Sequence, residues 1–306
     1  MSVVVLGSIN IDLVATVDRF PQVGETRRGD RFFEAAGGKG ANQAVAAAKL
    51  GAETYFVGRV GGDDYGDRSI SSLKAAGVRT DGVFIDSSTH SGVAVITVNN
   101  EGDNTIISVR GTNANVGAED IDRLRQVLPG ATAFLVQLEI PLDAVVSGIR
   151  AASDAGVTVI LDPAPAIDLP SEIYPYIDII TPNEGEASAL TGVTVSDAES
   201  AEKAADILRD RGVKTAIVTL GKQGLFCASE SDRFFLPAYE VEAVDTVAAG
   251  DAFNGGLAAA IDAGETLKEA VRKAAATAAF SVRRSGAQPS LPTRSQRDRF
   301  CRDRDR

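Results

Sequence analysis

The chain predicts an α/β fold: a doubly wound, mostly parallel sheet with helices on both faces, plus a small antiparallel β lid. Three features lead there. Short apolar runs at residues 3–6, 54–57, 133–136, 157–161, 177–180 and 215–219 are continuous rather than alternating, as in strands buried on both faces. Amphipathic stretches at 64–76, 118–128, 142–155 and 198–211 separate them, and such alternation builds a parallel sheet covered by helices. Two further regions, 13–17 with 26–35 and 91–98 with 105–109, alternate apolar and polar residues with period two, so each has one wet face and one dry face.

Taken in order, the run at 3–6 ends on Gly7-Ser8-Ile9-Asn10, and the first period-two pair then leaves the core. Gly37-Gly38-Lys39-Gly40-Ala41-Asn42-Gln43-Ala44 brings the chain back, with glycines set before a helix that runs to about residue 50. The second period-two pair is joined by Asn99-Asn100-Glu101-Gly102-Asp103, a hairpin turn by composition. A small sheet of this kind leaves one apolar face uncovered, so it closes over a site, packs on a partner, or does both. The later runs deliver Glu139, Asp162, Asn183 and Thr219 just past their ends, as the first delivers Asn10. Ligands of open parallel sheets sit at the carboxyl ends of the strands, so these five residues converge on one rim. The arginine-rich tail at 294–306 reads as a solvated helix end. There is no internal repeat or low-complexity linker, and the 306 residues read as one catalytic domain with lid segments inserted at about 12–36 and 90–111.

The most telling segment is Asp245-Thr246-Val247-Ala248-Ala249-Gly250-Asp251-Ala252-Phe253-Asn254-Gly255, at the start of an Ala-rich helix. Small residues let backbone N–H groups approach an anion, and a helix start adds unpaired donors and the positive end of its dipole. A carboxylate there repels phosphate, so Asp251 is better placed to take a proton from whatever attacks phosphate. An anion cradle plus a base is the minimal kit for phosphoryl transfer to a hydroxyl. The glycines at 37–40 are neither of the common glycine loops. Lys39 is followed by Gly40 rather than Ser or Thr, and no G-x-G-x-x-G follows the first strand, which removes a nicotinamide-dependent dehydrogenase.

The pair Gly37–Ala44 and Asp245–Gly255 resembles the two signatures of the ribokinase/phosphofructokinase-B family of sugar kinases. Gly7–Asp12, Gln137-Leu138-Glu139, Thr181-Pro182-Asn183-Glu184-Gly185-Glu186, Thr219-Leu220-Gly221-Lys222-Gln223-Gly224 and Gly286-Ala287-Gln288-Pro289-Ser290 agree with that family in order along nearly the whole chain. The Ala248-Ala249-Gly250 form of the loop, Glu139 and the 286–290 run point to its ribose-phosphorylating branch. The resemblance implies ATP-dependent phosphorylation of D-ribose at O5, with Asp251 as general base and the N–H groups of Ala248, Ala249 and Gly250 as anion hole. It implies a sugar site of Asn10, Asp12, Gly38, Lys39, Asn42 and Glu139 together with Asp251. Asn183 and Glu186 match the Mg²⁺–phosphate element, while Thr219, Gly221 and Gly224, with Gly250, match the nucleotide loop. It further implies a monovalent cation site, usually K⁺, at Asp245, Val247, Ser281, Arg284, Gly286 and Ser290, and a homodimer through the lid. Plainer roles compete: a capping box for Asn183 and Glu186, a helix-start carboxylate for Glu139, a hinge turn for Asp12, a simple hairpin for the 219–224 loop. Ala275 stands where relatives often carry a polar side chain near the base. Another acceptor (deoxyribose, fructose, ribose 1-phosphate or a nucleoside), or a non-catalytic sensor on the same fold, stays open.

Composition bounds the rest. A net charge of −11 and a pI of about 4.7 disfavour nucleic acid as a partner, because phosphate neutralisation needs a basic face. No apolar run reaches the roughly 20 residues that span a bilayer. Met1-Ser2 leads straight into a strand with no basic n-region or cleavage site, and Cys227 and Cys301 lie far apart, so a reducing, cytoplasmic setting is expected. Two cysteines and the single His90 cannot build a cysteine- or histidine-based zinc site.

Overall fold

The computed structural model describes residues 1–304. The chain runs β1 (Val3–Leu6), β2 (Asn10–Thr16), β3 (Arg31–Gly37), α1 (Lys39–Lys49), β4 (Thr54–Gly61), α2 (Asp64–Ala75), β5 (Val78–Asp86), β6 (Gly92–Val98), β7 (Asn104–Val109) and α3 (Ala118–Val127). It continues through β8 (Ala133–Val136), α4 (Leu142–Asp154), β9 (Thr158–Leu161), β10 (Ile179–Ile180), α5 (Glu184–Thr191), α6 (Ala198–Asp210), β11 (Thr215–Thr219), β12 (Gly224–Ala228) and β13 (Arg233–Pro237). Four helices follow: α7 (Ala249–Asp262), α8 (Leu267–Ser281), α9 (Ala287–Ser290) and α10 (Arg294–Arg302).

Nine strands form the main sheet in the order β13-β12-β11-β10-β9-β8-β1-β4-β5, parallel from β11 to β5, with β12 and β13 added antiparallel. The continuous apolar runs arise because both faces are covered. Val4, Leu6, Phe134, Val136 and Leu161 pack toward α3–α6, while Val3, Val5, Leu135, Ile160 and Ile217 pack toward α1, α7 and α8. The second layer is tight. A Cβ on Gly255 of α7 would lie 2.4 Å from the Ala46 Cβ of α1 and 2.6 Å from the Gln43 carbonyl. That closeness sets the distance between the two helices that carry the signature residues.

The second sheet has the order β3-β2-β6-β7. Both of its hairpins are antiparallel, as expected, while the central β2–β6 pair runs parallel because both hairpins leave the core at the same rim. Val14, Ala94 and Ile96 are buried on one face, where their neighbours Phe33 and Ile106 stand exposed, and Phe32, Val95, Ile107 and Val109 are exposed on the other face. The 99–103 turn forms: the Asn99 amide N–H donates to the Asp103 carbonyl at 3.0 Å, and the Asn99 side chain accepts from the Glu101 and Asp103 N–H groups. The tail corrects the sequence reading. α10 is not merely solvated: Arg297, Phe300 and Cys301 are buried, with Phe300 edge-on to Tyr239 and Phe280. Residues 305 and 306 of that predicted segment lie outside the described residues.

Candidate active site

The helix start before Asp251 is built as the residue types suggested, with one unusual turn. Ala248 caps α7 at φ 59°, the left-handed region that side-chain-bearing residues rarely adopt. That turn aims the first-turn backbone of Ala249, Gly250 and Asp251 into a cavity of about 220 Å³, also walled by Lys39, Asp162, Asn183, Glu186 and Thr219. A Cβ on Gly250 would meet nothing within 4 Å, so that stretch of backbone is open to a ligand. Thr219, Thr246, Ala249, Gly250 and Phe253 also line an adjoining cleft of about 390 Å³, whose other walls include Gly221, Gly224, Leu236, Tyr239 and Ala275. A largely apolar slot opening onto a backbone anion cradle suits a flat base joined to a phosphate chain.

Asp251 is buried, and its carboxylate accepts from Asn42 Nδ2 at 3.0 Å and Gln43 Nε2 at 3.1 Å. Burial raises its proton affinity; Lys39 and the two amides oppose the rise. A buried carboxylate aimed by two amide donors, with Lys39 favouring its charged form, is placed for a general base. On the other side of α1's start, Glu139 accepts from Ser8 Oγ and from the Lys39 backbone N–H at 3.1 Å. It therefore serves α1's entry rather than α4, which begins at Leu142. Asp12, on β2, packs against Gly37 so closely that a Cβ there would sit 2.4 Å from its carboxylate. Gly38 has φ 89°, and a Cβ on it would meet the Asn10 nitrogen at 2.8 Å. The glycines of the first signature are thus required by close approach of the sugar-site candidates.

The electrostatics are lopsided. Burial works to strip the Lys39 charge, but Asp251, Asp162, Glu139 and Glu186 outweigh it and hold the ammonium well above its usual range. Asp12 is pushed up to about 7 by burial, then by Glu139 and Asp251. Asp162 is pushed up to about 8 by burial, with Asp251 and Glu186 adding and Lys39 opposing. Glu186 is also raised, chiefly by burial. Such a site has room for cations brought by its ligands.

Asn183 and Glu186 form the capping box of α5: Asn183 Oδ1 accepts the Glu186 N–H and Glu186 Oε2 accepts the Asn183 N–H, each at 2.9 Å. Both residues still line the cavity, so capping and ligand contact are compatible. Thr219 ends β11, and Gly221 and Gly224 sit in its hairpin to β12 at φ 50° and 125°. Of the six cation-site candidates, Asp245 and Gly286 tie the loop before α7 to the 286–290 loop, while the bonds of Ser281, Arg284 and Ser290 are local. Asp245 accepts from the Val247 N–H at 2.9 Å and from the Gly286 N–H at 2.8 Å; the Ser281 carbonyl accepts from Arg284; Ser290 Oγ donates to the Ala287 carbonyl. Among the described residues no three acidic, histidine or cysteine side chains converge to hold a metal. Carbonyls with a single carboxylate fit a hard monovalent ion better than a divalent one.

Several structural partners carried no signal of their own. Gln43 Nε2 bridges Asp162 at 2.7 Å and Asp251, and its Oε1 accepts from Gln137 Nε2 at 2.7 Å. Gln288 donates to Asn42 Oδ1 at 3.2 Å, linking the 286–290 loop to the base. Ser8 and Asn113 orient Glu139 and Asn10.

Residues 1–294 match the family model described as pfkB family carbohydrate kinase. The chain is 41% identical over 292 residues to the ribokinase of Haemophilus influenzae, covering 95% of each chain. It is similar to the crystal structure of Thermotoga maritima ribokinase, with a TM-score of 0.90, 38% identity and coverage of 98% and 99%. It is also similar to Arabidopsis thaliana ribokinase complexed with ribose and ATP, with a TM-score of 0.89, 35% identity and 98% coverage of both chains.

Proposed function

The chain belongs to the pfkB family of carbohydrate kinases, and from that premise we propose that it transfers the γ-phosphoryl group of ATP to O5 of D-ribose, giving D-ribose 5-phosphate and ADP. The observation that carries this reading is the Asp251 carboxylate, held by two amides at the mouth of a backbone anion cradle and flanked by Lys39. In the proposed reaction Asp251 takes the O5 proton as the O5–phosphorus bond forms and the bond from phosphorus to the bridging oxygen of ADP breaks. The N–H groups of the Ala248–Gly250 turn meet the charge on the transferring group. Asn10, Asp12, Gly38, Lys39, Asn42 and Glu139 hold the sugar, with carboxylates accepting from hydroxyls and Lys39 and the amides donating. Thr219, Gly221 and Gly224 border the nucleotide. Mg²⁺ bound to ATP would neutralise phosphate charge near Asn183 and Glu186, and K⁺ at the Asp245–Gly286 contact would stiffen the loop before α7.

The exposed apolar side chains of the lid, Phe32, Val95, Ile107 and Val109 on one face, support a homodimer through that sheet, since such side chains are seldom left bare together. Among the described residues no helix is long and apolar enough to cross a membrane. We read the protein as a cytoplasmic enzyme acting on small molecules rather than on nucleic acid. The test is ADP release from Mg·ATP in K⁺ buffer across ribose, deoxyribose, fructose, ribose 1-phosphate and adenosine. A signal that requires ribose is expected. Turnover with another acceptor alone would overturn the sugar assignment while keeping the kinase chemistry, and silence throughout would favour a sensor.

A further inference from the structure

We propose that Asn113 fixes the orientation of the Asn10 amide, so that Asn10 meets the sugar only as a hydrogen-bond donor; this rests on the reading above that Asn10 faces the sugar. Asn113 lies in the short helical turn Gly111–Asn115 that follows β7, and it is buried. Its Oδ1 accepts the backbone N–H of Ile9 at 3.0 Å. A backbone N–H can only donate, so this bond decides which end of the Asn113 amide is oxygen. The Nδ2 end then points at the Ile9 carbonyl, 3.0 Å away, and at Asn10 Oδ1, 2.8 Å away. Asn10 Oδ1 is therefore committed as an acceptor, and Asn10 Nδ2 is the end left over. Among the described residues no protein group accepts from that nitrogen, and it is not one of the buried side-chain atoms lacking a partner. It is the polar end without a protein partner, and whatever a ligand places against it must accept.

The pair is packed tightly, so the chemistry of its partner decides which way the Asn10 amide faces. A Cβ on Gly92 would lie 2.2 Å from both Asn10 Oδ1 and Asn113 Nδ2, so the first residue of β6 rests directly on the amide pair. The link from β1 to β2, the start of β6 and the segment after β7 meet at this one knot. Orientation is thus set by the roots of the lid before any sugar arrives. Asn113 is a positioning residue: it acts through Asn10 and touches no substrate.

The test is steady-state kinetics on the intact enzyme with Asn113→Asp, Asn10→Ala and the double variant. Aspartate at 113 still accepts from the Ile9 N–H, but it loses the donation to the Ile9 carbonyl and presents an oxygen to Asn10 Oδ1. The Asn10 amide then turns and offers its oxygen to the sugar. Facing acceptors lose the bond and add an unpaired polar group, so the KM for ribose should rise about tenfold or more, with the KM for ATP within about twofold of wild type. In the Asn10→Ala background the same substitution should add less than about twofold. A purely structural role would apply its full factor in both backgrounds and would disturb ATP as well, which would overturn the proposal. An unchanged ribose KM in Asn113→Asp, beside a raised one in Asn10→Ala, would overturn it while sparing the sugar-site reading. An unchanged ribose KM in Asn10→Ala would overturn both. If Asn113→Asp fails to fold, Asn10→Asp reads the same point with Asn113 intact: it keeps the acceptor toward Asn113 and replaces the outward donor with an oxygen. A wild-type ribose KM in that variant would refute the assigned orientation.

Discussion

Replacing Asp162 by Asn should make the protein more stable in mild alkali than the wild type, and the gain should depend on pH. Asp162 follows β9, is buried, and accepts from Gln43 Nε2 at 2.7 Å, a bond that an amide oxygen can also accept. Burial, aided by Asp251 and Glu186, holds its proton to about pH 8. In the unfolded chain the same carboxyl ionises near pH 3.9. Below about pH 4 both states are protonated and Asp162 is neutral toward folding. As pH rises, the unfolded chain sheds the proton while the native state retains it, so stability falls until about pH 8 and is flat beyond. From pH 5 to pH 8 the slope of about 1.36 kcal/mol per pH unit gives about 4 kcal/mol as an upper bound. Relaxation of the site reduces this to about 2 kcal/mol, or roughly 3 °C in Tm for a chain of this size. Thermal unfolding of both proteins at pH 5 and pH 8.5 reads it directly. The variant's advantage should widen by about that amount between the two. Melting curves that shift in parallel would refute the claim that Asp162 is neutral in the native state.

Asp251→Asn should lower kcat with ribose by at least about 100-fold while calorimetry still detects ribose binding; near-normal turnover would remove Asp251 as the base. Gly255→Ala should cost about 1–3 kcal/mol in denaturant unfolding, because its Cβ would sit 2.4 Å from the Ala46 Cβ with backbone close behind. Turnover in K⁺ should exceed that in Li⁺ several-fold if the Asp245–Gly286 contact holds an ion, and equal rates in the two chloride salts would argue against that site.

Much of this architecture can be read from the chain, for identifiable reasons. β1, β8 and β11 occupy the residues that their apolar runs predict, because burial on both faces leaves an unbroken hydrophobic signature. β5 escaped notice: Val78–Asp86 is the edge of the main sheet, half exposed, and its residues show neither an apolar run nor strict alternation. The Ala248–Asp251 turn was visible because its chemistry is local. The bonds by which amides aim the site were not, since Gln43 to Asp251 and Asn113 to Asn10 reach across 208 and 103 residues. Nothing in the sequence near Asn113 announces a partner that only the return of the chain from the lid supplies. The buried end of α10 was missed for a related reason. Its arginines advertise solvent, while Phe300 and Arg297 are drawn in by surfaces far upstream.

The imbalance around Lys39 bears on inhibitor design. One ammonium faces Asp251, Glu139 and Glu186, with Asp12 holding its proton to about pH 7 and Asp162 to about pH 8. A five-carbon iminosugar, protonated at its ring nitrogen, would bring into that pocket the positive charge that ribose lacks. It should compete with ribose and bind more tightly as pH rises from 6 to 8 and Asp12 ionises. A neutral carbocyclic analogue of the same shape should show no such pH trend, so comparing the two inhibition constants isolates the contribution of charge.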